Sequence, residues 1–551
     1  MANEELTFDF VVVGGGTAGC VLAARLSEDR DATVCLLEAG GSDRHPFIGI
    51  PAAVQAAVST RDLNWGFTTT PQPALDNRRI PLPRGRVLGG SGSINGMVYH
   101  RGSPLDYDDW ARGGATGWSY AEVLPYFTRS ENNEDHPASA YHGRGGPLNV
   151  STPRRPNRMA RDFIAAMRSL QFPECTDFVG PAPEGAGMRQ ATIRGGRRES
   201  TATAFLRPAL TRPNLTVMIR CPARRILFEG KRAVGVEFVR AGQTECLRAR
   251  REIILSAGTI QSPQLLLCSG VGDAVELGQL GITVVHHLPG VGRNLHDHLA
   301  TPVRMDMTDS TSYGLSWRAL PRGMWNVLEY LVGRQGPLAG NVFEACAYLR
   351  ADPQADRADL QLVFQPWKPP TTFLPVPVGH GFGISPVLLY PESRGRLTIS
   401  SPDALDPPLA DSGLLSHPDD LPKLIRAVRL CRRILAAAPF APYRGVEVAP
   451  GEKVQSEEEL AQFIRATAYT VHHPVGTCRM GSGAAAVVDP TLKVRGLEGL
   501  RVADASVFPS IVGGNTNAPV IMVAEKAADL IRGRPAPEPV RLRDSLTPAL
   551  A

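Results

Sequence analysis

The sequence predicts an α/β fold with two domains, one built on a buried, mostly parallel sheet and one of α+β type that carries an antiparallel sheet. Two apolar runs, Phe8–Val13 and Ala32–Leu37, flank a glycine-rich turn and a helix pattern. This arrangement is typical of a βαβ unit of about 30 residues. A further run at 252–258 has the same buried character, whereas the strands between about 300 and 460 alternate apolar and polar residues.

Composition excludes several classes of protein. Of the 551 residues, 43% are apolar and 21% are charged, and the net charge is +5, which gives no reason to expect nucleic-acid binding. The most basic stretch, Arg189–Arg198, is interpreted as an exposed loop. Nine scattered cysteines favour a reducing compartment. The first ten residues do not resemble a signal peptide, and no apolar run could span a membrane, so we expect a cytoplasmic protein of undetermined oligomeric state.

The clearest motif is the glycine pattern between the first strand and the first helix. Gly14 permits a tight turn, Gly16 lets a pyrophosphate approach the backbone, and Gly19 lets the helix pack closely on the strand. The free N–H groups at the start of the helix favour phosphate. Glu38 ends the next strand, where a carboxylate accepts hydrogen bonds from ribose hydroxyls. The segment therefore predicts a Rossmann-like dinucleotide site, but it does not separate FAD from NAD.

Two longer stretches make that distinction. The segment 85–108, GRVLGGSGSINGMVYHRGSPLDYD, resembles the first signature of the glucose-methanol-choline (GMC) oxidoreductases, and 258–272 resembles the second. Both occur in the family's order, so the chain is identified as similar to this family from end to end. The resemblance implies an FAD-dependent enzyme. Some members attach the flavin covalently through a histidine, but the matching position is Ile94, so we expect non-covalent FAD. Gly92 departs from the commoner serine, and we expect it only to loosen the turn.

The resemblance also implies which side chains and backbone groups contact FAD. Small residues and backbone amides can hold a diphosphate and the edge of a flat ring. Besides Gly14, Gly16, Gly19 and Glu38, the expected contacts are Thr17, Ala18, Ala39, Arg86, Gly89, Gly90, Ser91, Asn95, Gly96, Met97, Val98, Ala223, Ala257, Asp504, Ala505 and Thr516.

The segment 472–481, HHPVGTCRMG, resembles the family's active-site histidine motif, and His473 matches the catalytic histidine. A residue before proline is disfavoured in helical geometry, so His473 is expected on extended chain with its imidazole in a cavity. Histidine is suited to accept a proton near neutral pH. His472 and Val471 are expected to form the wall of the substrate pocket. Similar oxidases have a small apolar residue at the position of Val471, and this resemblance slightly favours dioxygen as the electron acceptor.

A helix with the interior VIMVAEKAADLI begins after Asn515-Thr516-Asn517. Asn and Thr cap helices, and the helix dipole would stabilise negative charge on a reduced flavin. Asn517 is assigned to the family's second catalytic position, where it would hydrogen-bond the substrate oxygen; the alternative is that both asparagines only cap the helix. Asp504 ends a strand, as a group that reaches cofactor hydroxyls would.

The string Asn294-Leu295-His296-Asp297-His298 could suggest a metal site, but the family has a similar segment without a metal, so a structural role is expected. We expect no metal. The predicted domains are an FAD-binding domain at 1–155, 200–300 and 464–532, a substrate-binding domain at 156–199 and 301–463, and a C-terminal tail at 533–551 that has no core to join.

The resemblance implies oxidation of an alcohol, expected to be primary, to the aldehyde. His473 would accept the hydroxyl proton while hydride passes to flavin N5, and dioxygen or another acceptor would reoxidise the flavin. The same fold also supports hydroxynitrile lyases without net redox chemistry and a light-driven fatty-acid decarboxylase. A non-enzymatic flavin-binding role is the weakest alternative. The alcohol itself stays open, because the pocket roof comes from the domain with the fewest motifs.

Overall fold

The computed structural model describes residues 6–352, 354–368 and 378–540. The last part of the predicted tail, from residue 541, and the first five residues lie outside this range. Across the part of the chain that is described, no helix combines the length and apolarity needed to cross a membrane.

The first sheet contains seven strands among the described residues. In spatial order, six of them are Leu215–Met218, Val34–Leu37, Leu6–Val13, Gln243–Leu255, Arg232–Arg240 and Ala223–Glu229, and the seventh is Leu500–Val502. The first four pair in parallel, and Leu500–Val502 also pairs in parallel with Gln243–Leu255. The last two strands of the series are antiparallel. The predicted buried strand and βαβ unit are present.

The close packing of the first helix depends on a glycine. Helix Thr17–Leu26 follows the first strand directly and packs against helix Asn517–Arg532 from the other end of the chain. A Cβ at Gly19 would lie 1.8 Å from the carbonyl oxygen of Gly14, so no larger residue fits this position without moving the backbone. The start of the helix is thereby held at the carboxyl end of the strand, where parallel sheets bind ligands.

The second sheet contains eight antiparallel strands among the described residues. Its strands are Gly185–Met188, Leu299–Ala300, Val303–Met307, Ala345–Leu349, Leu360–Gln365, Gly381–Leu388, Arg444–Ala449 and Tyr469–Thr470. One face packs on a core that includes stacked rings of Phe364, Phe382 and Phe440. The predicted fold class, a Rossmann-like α/β domain joined to an α+β unit with an antiparallel sheet, is confirmed.

Helices surround both sheets. The α-helices are Thr17–Leu26, Pro46–Gly49, Val54–Ser59, Pro104–Arg112, Tyr120–Ser130, Arg158–Ser169, Arg207–Ala209, Gly258–Cys268, Ala274–Gln279, Leu320–Gly333, Asp420–Leu435, Glu457–Thr467 and Asn517–Arg532. Smaller sheets are formed by Phe67–Thr68 with Pro81–Leu82, Glu131–Asn133 with Leu148–Val150, Ile193–Arg194 with Arg197–Arg198, Val271–Gly272 with His286–His287, and Arg293–Leu295 with Gly395–Thr398 and Leu409–Asp411.

The tail differs from expectation where it is described. Val540 packs against the core of the first sheet, and its backbone N–H donates to the carbonyl of Ala121 at 2.9 Å. The tail is therefore held on the protein surface at Val540. The overall composition of the segment does not reveal this single apolar contact. The exact domain boundaries stay a prediction, although each sheet has its own large apolar core.

Candidate active site

One cavity of about 670 Å³ extends from the glycine turn of the first sheet to one face of the second. It brings together most of the residues that the sequence assigned to the site. These are Gly14, Gly16, Thr17, Ala18, Glu38, Ala39, Gly90, Ser91, Asn95, Gly96, Met97, Val98, Ala223, Ala257, Val471, His472, His473, Asp504, Ala505, Thr516 and Asn517. Such a long cleft at the carboxyl ends of parallel strands matches the size and place of a cofactor site.

Three expected contacts do not line the cavity. Gly19 acts through helix packing, as described above. Gly89 has a positive φ of 83° and donates its N–H to the carbonyl of Gly15 at 2.7 Å, so it shapes the turn. The Arg86 guanidinium lies 4.8 Å from the ring centre of Trp65. Arg86 therefore makes a cation–π contact with Trp65, which lines the cavity, and does not line the cavity itself.

Glu38 occupies the end of the cavity beside the glycine turn. Its two carboxylate oxygens accept hydrogen bonds from the backbone N–H of Gly15 at 2.8 Å and of Gly40 at 2.7 Å. Burial raises the pKa of this carboxyl to about 7, although the two backbone amides oppose that shift. A buried carboxylate is stabilised by further hydroxyl donors. The residues present thus fit the ribose of a dinucleotide.

The second glycine-rich stretch lies against the first. A Cβ at Gly90 would come within 2.7 Å of Gly16 Cα, so the two backbones lie this close only because Gly90 has no side chain. A Cβ at Gly92 would lie 2.8 Å from Thr17 Oγ1. Gly92 therefore gives Thr17 room, which is a more specific role than the loosened turn that we expected. Closely packed turns of this kind can form a concave backbone site for a diphosphate.

His473 is held by three polar contacts. Its backbone N–H donates to Asp297 Oδ1 at 2.7 Å, its Nδ1 lies 3.0 Å from His298 Nδ1, and its Nε2 lies 3.1 Å from Asn515 Nδ2. The rings of His473 and His298 meet edge to face. Burial, together with the nearby His298, lowers the pKa of His473 well below its usual value. The imidazole is therefore neutral near pH 7 and able to accept a proton.

The hydrogen bonds also assign the tautomer of His473. Arg189 donates from Nη2 to Asn515 Oδ1 at 2.9 Å, and a guanidinium has no acceptor. The Asn515 amide must therefore present its NH₂ group to His473, whose Nε2 accepts. The proton of the neutral ring then sits on Nδ1, which donates to His298. We call this chain of Arg189, Asn515, His473 and His298 the polar relay. It leaves the basic lone pair of His473 on Nε2.

The sequence assigned Asn517 to hydrogen-bond the substrate oxygen, but the asparagine beside His473 is a different one. Asn515 contacts His473, whereas the Asn517 carbonyl oxygen accepts from Thr17 Oγ1 at 2.8 Å. Asn517 is the first residue of its helix, and the turn before it directs the two side chains differently. Asp504 lines the cavity as expected, and its contact with cofactor hydroxyls stays a prediction. Its carboxylate accepts from the N–H groups of Gly258 and Ser506, and so anchors the protein's own turns.

Two further assignments need correction. Arg189 and Arg198, at the ends of the basic stretch interpreted as an exposed loop, are buried. Arg198 Nη1 donates a hydrogen bond to the backbone carbonyl of Asn95 at 2.6 Å. His298 was expected to be merely structural, but it contacts His473. Its neighbour His296 does fit a structural role, because its Nδ1 lies 2.6 Å from the carbonyl of Asn294 and its Nε2 is bonded to a backbone N–H.

His472 and Val471 lie where the sequence placed them, on the cavity wall. The His472 side chain is open to the cavity yet enclosed by protein, and its carbonyl accepts from Arg84 Nη2 at 2.6 Å. Burial, with Arg84 close by, lowers the pKa of His472 to about 3, so this ring stays neutral. Ile94, the position of the family's covalent histidine, also lines the cavity and offers no atom for such a bond.

The far roof of the cavity carries a guanidinium that sequence reasoning missed. Arg304 is buried, and it donates to Ser385 Oγ at 2.9 Å and to the side-chain oxygen of Gln365. Tyr469 OH lies 2.7 Å from the same Ser385 oxygen. Burial lowers the pKa of Arg304, and the groups named here are neutral. The sequence contains no motif that identifies this arginine. Only the register of its strand could have predicted that its side chain faces the cavity.

In the described part of the cavity wall, carboxylates lie only at the ends of strands of the parallel sheet. Among the described residues that line it, the acidic ones are Glu38 and Asp504. Each follows a strand of the parallel sheet, Val34–Leu37 for Glu38 and Leu500–Val502 for Asp504. The described part of the roof is aromatic, aliphatic, amide, hydroxyl and guanidinium in character, with Phe343, Val363 and Trp367 among its residues.

Comparison with known proteins agrees with this geometry. A family profile described as GMC oxidoreductase matches residues 8–300, and a second with the same description matches 391–524. An alcohol dehydrogenase (acceptor) from Pseudomonas putida is 41% identical over 95% of each chain. An oxygen-dependent choline dehydrogenase from Rhizobium etli is 44% identical over 96% of each chain.

Solved structures show the same architecture over nearly the whole chain. Pyridoxine 4-oxidase from Mesorbium loti superposes with a TM-score of 0.85 at 32% identity, covering 95% of this chain and 98% of that one. A variant of Aspergillus oryzae formate oxidase superposes with a TM-score of 0.89 at 27% identity, covering 97% and 99%. The chain belongs to the GMC oxidoreductase family, whose members are FAD-dependent.

Proposed function

We propose that this protein oxidises a primary alcohol to the aldehyde with non-covalently bound FAD, and that dioxygen or another acceptor reoxidises the flavin. The observation that carries the proposal is the polar relay, which presents a neutral imidazole and an amide NH₂ side by side at the cavity wall. A hydroxyl group is both donor and acceptor, so it matches this pair. The relatives that act on alcohols support the same reaction class.

In the proposed reaction, His473 Nε2 accepts the hydroxyl proton and Asn515 Nδ2 donates to the substrate oxygen. His298 accepts from His473 Nδ1, so it stabilises the tautomer whose Nε2 carries no proton and, after proton transfer, the imidazolium. Arg189 holds the Asn515 amide in the productive orientation. Bound FAD supplies the hydride acceptor for the carbinol carbon. Glu38 and the glycine turns would hold its nucleotide half, and Ile94 leaves it without a covalent link.

The substrate is proposed to be an alcohol without a positive charge. Recognition of a quaternary ammonium group uses carboxylates or an aromatic cage. The described roof has aromatic rings, among them Phe343 and Trp367, but no carboxylate. It also presents the Arg304 guanidinium, which would repel a cation and would bind a carboxylate or another strong acceptor. The likeness to choline dehydrogenases therefore does not extend to choline itself in our proposal. An alcohol with a carboxylate or ether-rich far end fits the roof best.

The test of the reaction class is anaerobic mixing of the yellow protein with a panel of alcohols. The panel includes neutral primary alcohols, hydroxy acids and choline. Loss of the absorbance of oxidised flavin with one or more primary alcohols supports the proposal, and its absence with every alcohol would falsify it. Admission of air then distinguishes the acceptors. Rapid recovery of colour with peroxide indicates an oxidase, and slow recovery indicates a dehydrogenase with a different acceptor.

A further inference from the structure

Helix Leu320–Gly333 lies on the protein with its apolar side outward. Its most buried residue is Tyr330, whose hydroxyl donates to the carbonyl of Gly49, and the half-buried Gly323 and Asn326 share that side. A surface helix of a soluble protein normally packs its apolar stripe on the core and leaves the polar face in water. Here the small and polar side contacts the protein, so the usual arrangement is reversed.

The outward face is broad and continuous. At 3.6 residues per turn, its apolar side chains cover an arc of roughly 160°. Two more exposed apolar residues precede the helix. The exposed set is Leu315, Trp317, Leu320, Met324, Trp325, Val327, Leu328, Leu331 and Val332. Leu331 and Val332 are 73% and 82% exposed, and Trp317 is 80% exposed. We call these nine residues the apolar face. Contiguous patches of this kind mark an interaction site rather than ordinary surface.

Basic residues surround the apolar face. Arg318 and Arg322 lie at its start and Arg334 at its end, and all three are exposed. The acidic residue of the helix, Glu329, is paired with the exposed Arg155. The Arg318 guanidinium also lies 5.2 Å from the ring centre of Trp317. The surroundings of the face therefore carry net positive charge.

We propose that the apolar face inserts into the headgroup and upper acyl region of an anionic membrane. Tryptophan prefers this boundary, because its ring is apolar and its indole N–H is polar. Arginines at the rim would pair with anionic phospholipid headgroups. A second copy of the chain is a poorer occupant, because a symmetric contact would bring the same basic rim together. The helix lies in the interface and does not cross it.

The proposal has a consequence for the cavity. The chain leaves the helix at Gly333, forms the short turn Pro337–Ala339, and reaches Phe343 on the cavity wall. Between them, Asn341 Nδ2 donates to the carbonyl of Gly96 in the flavin-binding stretch. If the helix docks on a membrane, the segment that continues from it into the cavity wall also lies close to the membrane. Lipid-soluble acceptors or substrates concentrate there.

The test is co-sedimentation of the FAD-loaded protein with vesicles. One set is phosphatidylcholine, and the other contains about a quarter phosphatidylglycerol. The test variant combines Trp325→Gln, Leu331→Gln and Val332→Gln. The matched control combines Leu210→Gln, Val275→Gln and Val446→Gln, which are also exposed apolar residues but lie elsewhere. Flavin absorbance and thermal unfolding check that both variants are folded. The expected result is that the wild-type protein binds anionic vesicles and that added salt weakens this binding. The test variant should bind at least about tenfold more weakly than the wild type, and the control variant should bind as the wild type does.

Three outcomes overturn the proposal. The wild-type protein could remain in the supernatant with both kinds of vesicle. The test variant could bind as well as the wild type. Finally, sedimentation velocity could show a wild-type dimer that the test variant dissociates, which would make the helix an interface between copies. If the variant fails to fold, the wild-type protein can be tested with vesicles whose acyl chains are brominated. Insertion predicts that the fluorescence of Trp317 and Trp325 is quenched. Unquenched emission contradicts insertion.

Discussion

His298→Phe removes the acceptor for His473 Nδ1 while keeping an aromatic ring of similar size. The two nitrogens are 3.0 Å apart, and both rings are enclosed by protein. Leaving a buried N–H without a partner costs about 1–3 kcal/mol. In our assignment that cost falls on the reactive tautomer, whose proton is on Nδ1 and whose Nε2 is unprotonated. The other tautomer is no alternative base, because it turns an N–H toward the Asn515 NH₂ group. The limiting rate of flavin reduction should therefore fall roughly five- to 150-fold.

The assay is stopped-flow reduction of the flavin by saturating alcohol without oxygen. The limiting rate should fall while the apparent Kd for the alcohol changes little, since His298 does not contact the substrate in this account. His298→Asn is the matched control. Its side-chain oxygen can take the place of Nδ1 as acceptor, so this variant should recover most of the rate. Equal rates for His298→Phe and the wild type, or no rescue by His298→Asn, would refute the tautomer assignment.

Four further predictions follow from the same contacts. Asn515→Ala should slow flavin reduction roughly ten- to 100-fold in stopped-flow experiments, and Asn517→Ala should slow it much less, because its carbonyl is bonded to a threonine hydroxyl. Arg304→Gln should raise KM at least about tenfold for hydroxy acids but not for neutral alcohols in steady-state assays. Gly19→Ala should lower the FAD content of the purified protein, because its Cβ would lie 1.8 Å from a backbone carbonyl oxygen. Burial lowers the pKa of His298 from 6.5 to about 4, so its contribution to stability is complete above pH 6.5 and is lost as the pH falls. His298 should account for about 2 kcal/mol of the stability that thermal unfolding shows to be lost by pH 5, and His298→Asn should remove that part of the pH dependence.

Much of the cofactor half could be predicted from local sequence. The first strand, the glycine turn and Glu38 lie within about 30 residues of one another, so their geometry depends on neighbours in the chain. Steric reasons assigned to single glycines also agree with the structure, as the contact of Gly19 with Gly14 shows. Resemblance to the family added the second glycine-rich stretch and His473. The large cavity contains most of these residues.

The errors concern contacts between distant segments. Asn515 and Asn517 are two residues apart at the start of one helix, and only the folded turn determines which of them contacts His473. Arg189 reads as part of a basic surface loop, yet the pairing of Gly185–Met188 with Ala345–Leu349 carries the chain inward beside it. His298 is 175 residues from His473 in the sequence. Composition and periodicity contain no information about such pairs, because their members are far apart in the sequence and meet only in the folded protein.

The central claim is that His473 is the base that accepts the hydroxyl proton. The most direct measurement is anaerobic flavin reduction by the best alcohol in His473→Ala, with the flavin content and absorbance spectrum recorded before mixing. The account predicts that FAD remains bound and that the limiting rate of reduction falls by roughly 10²- to 10⁴-fold. Reduction within about threefold of the wild-type rate, with FAD bound, would contradict it.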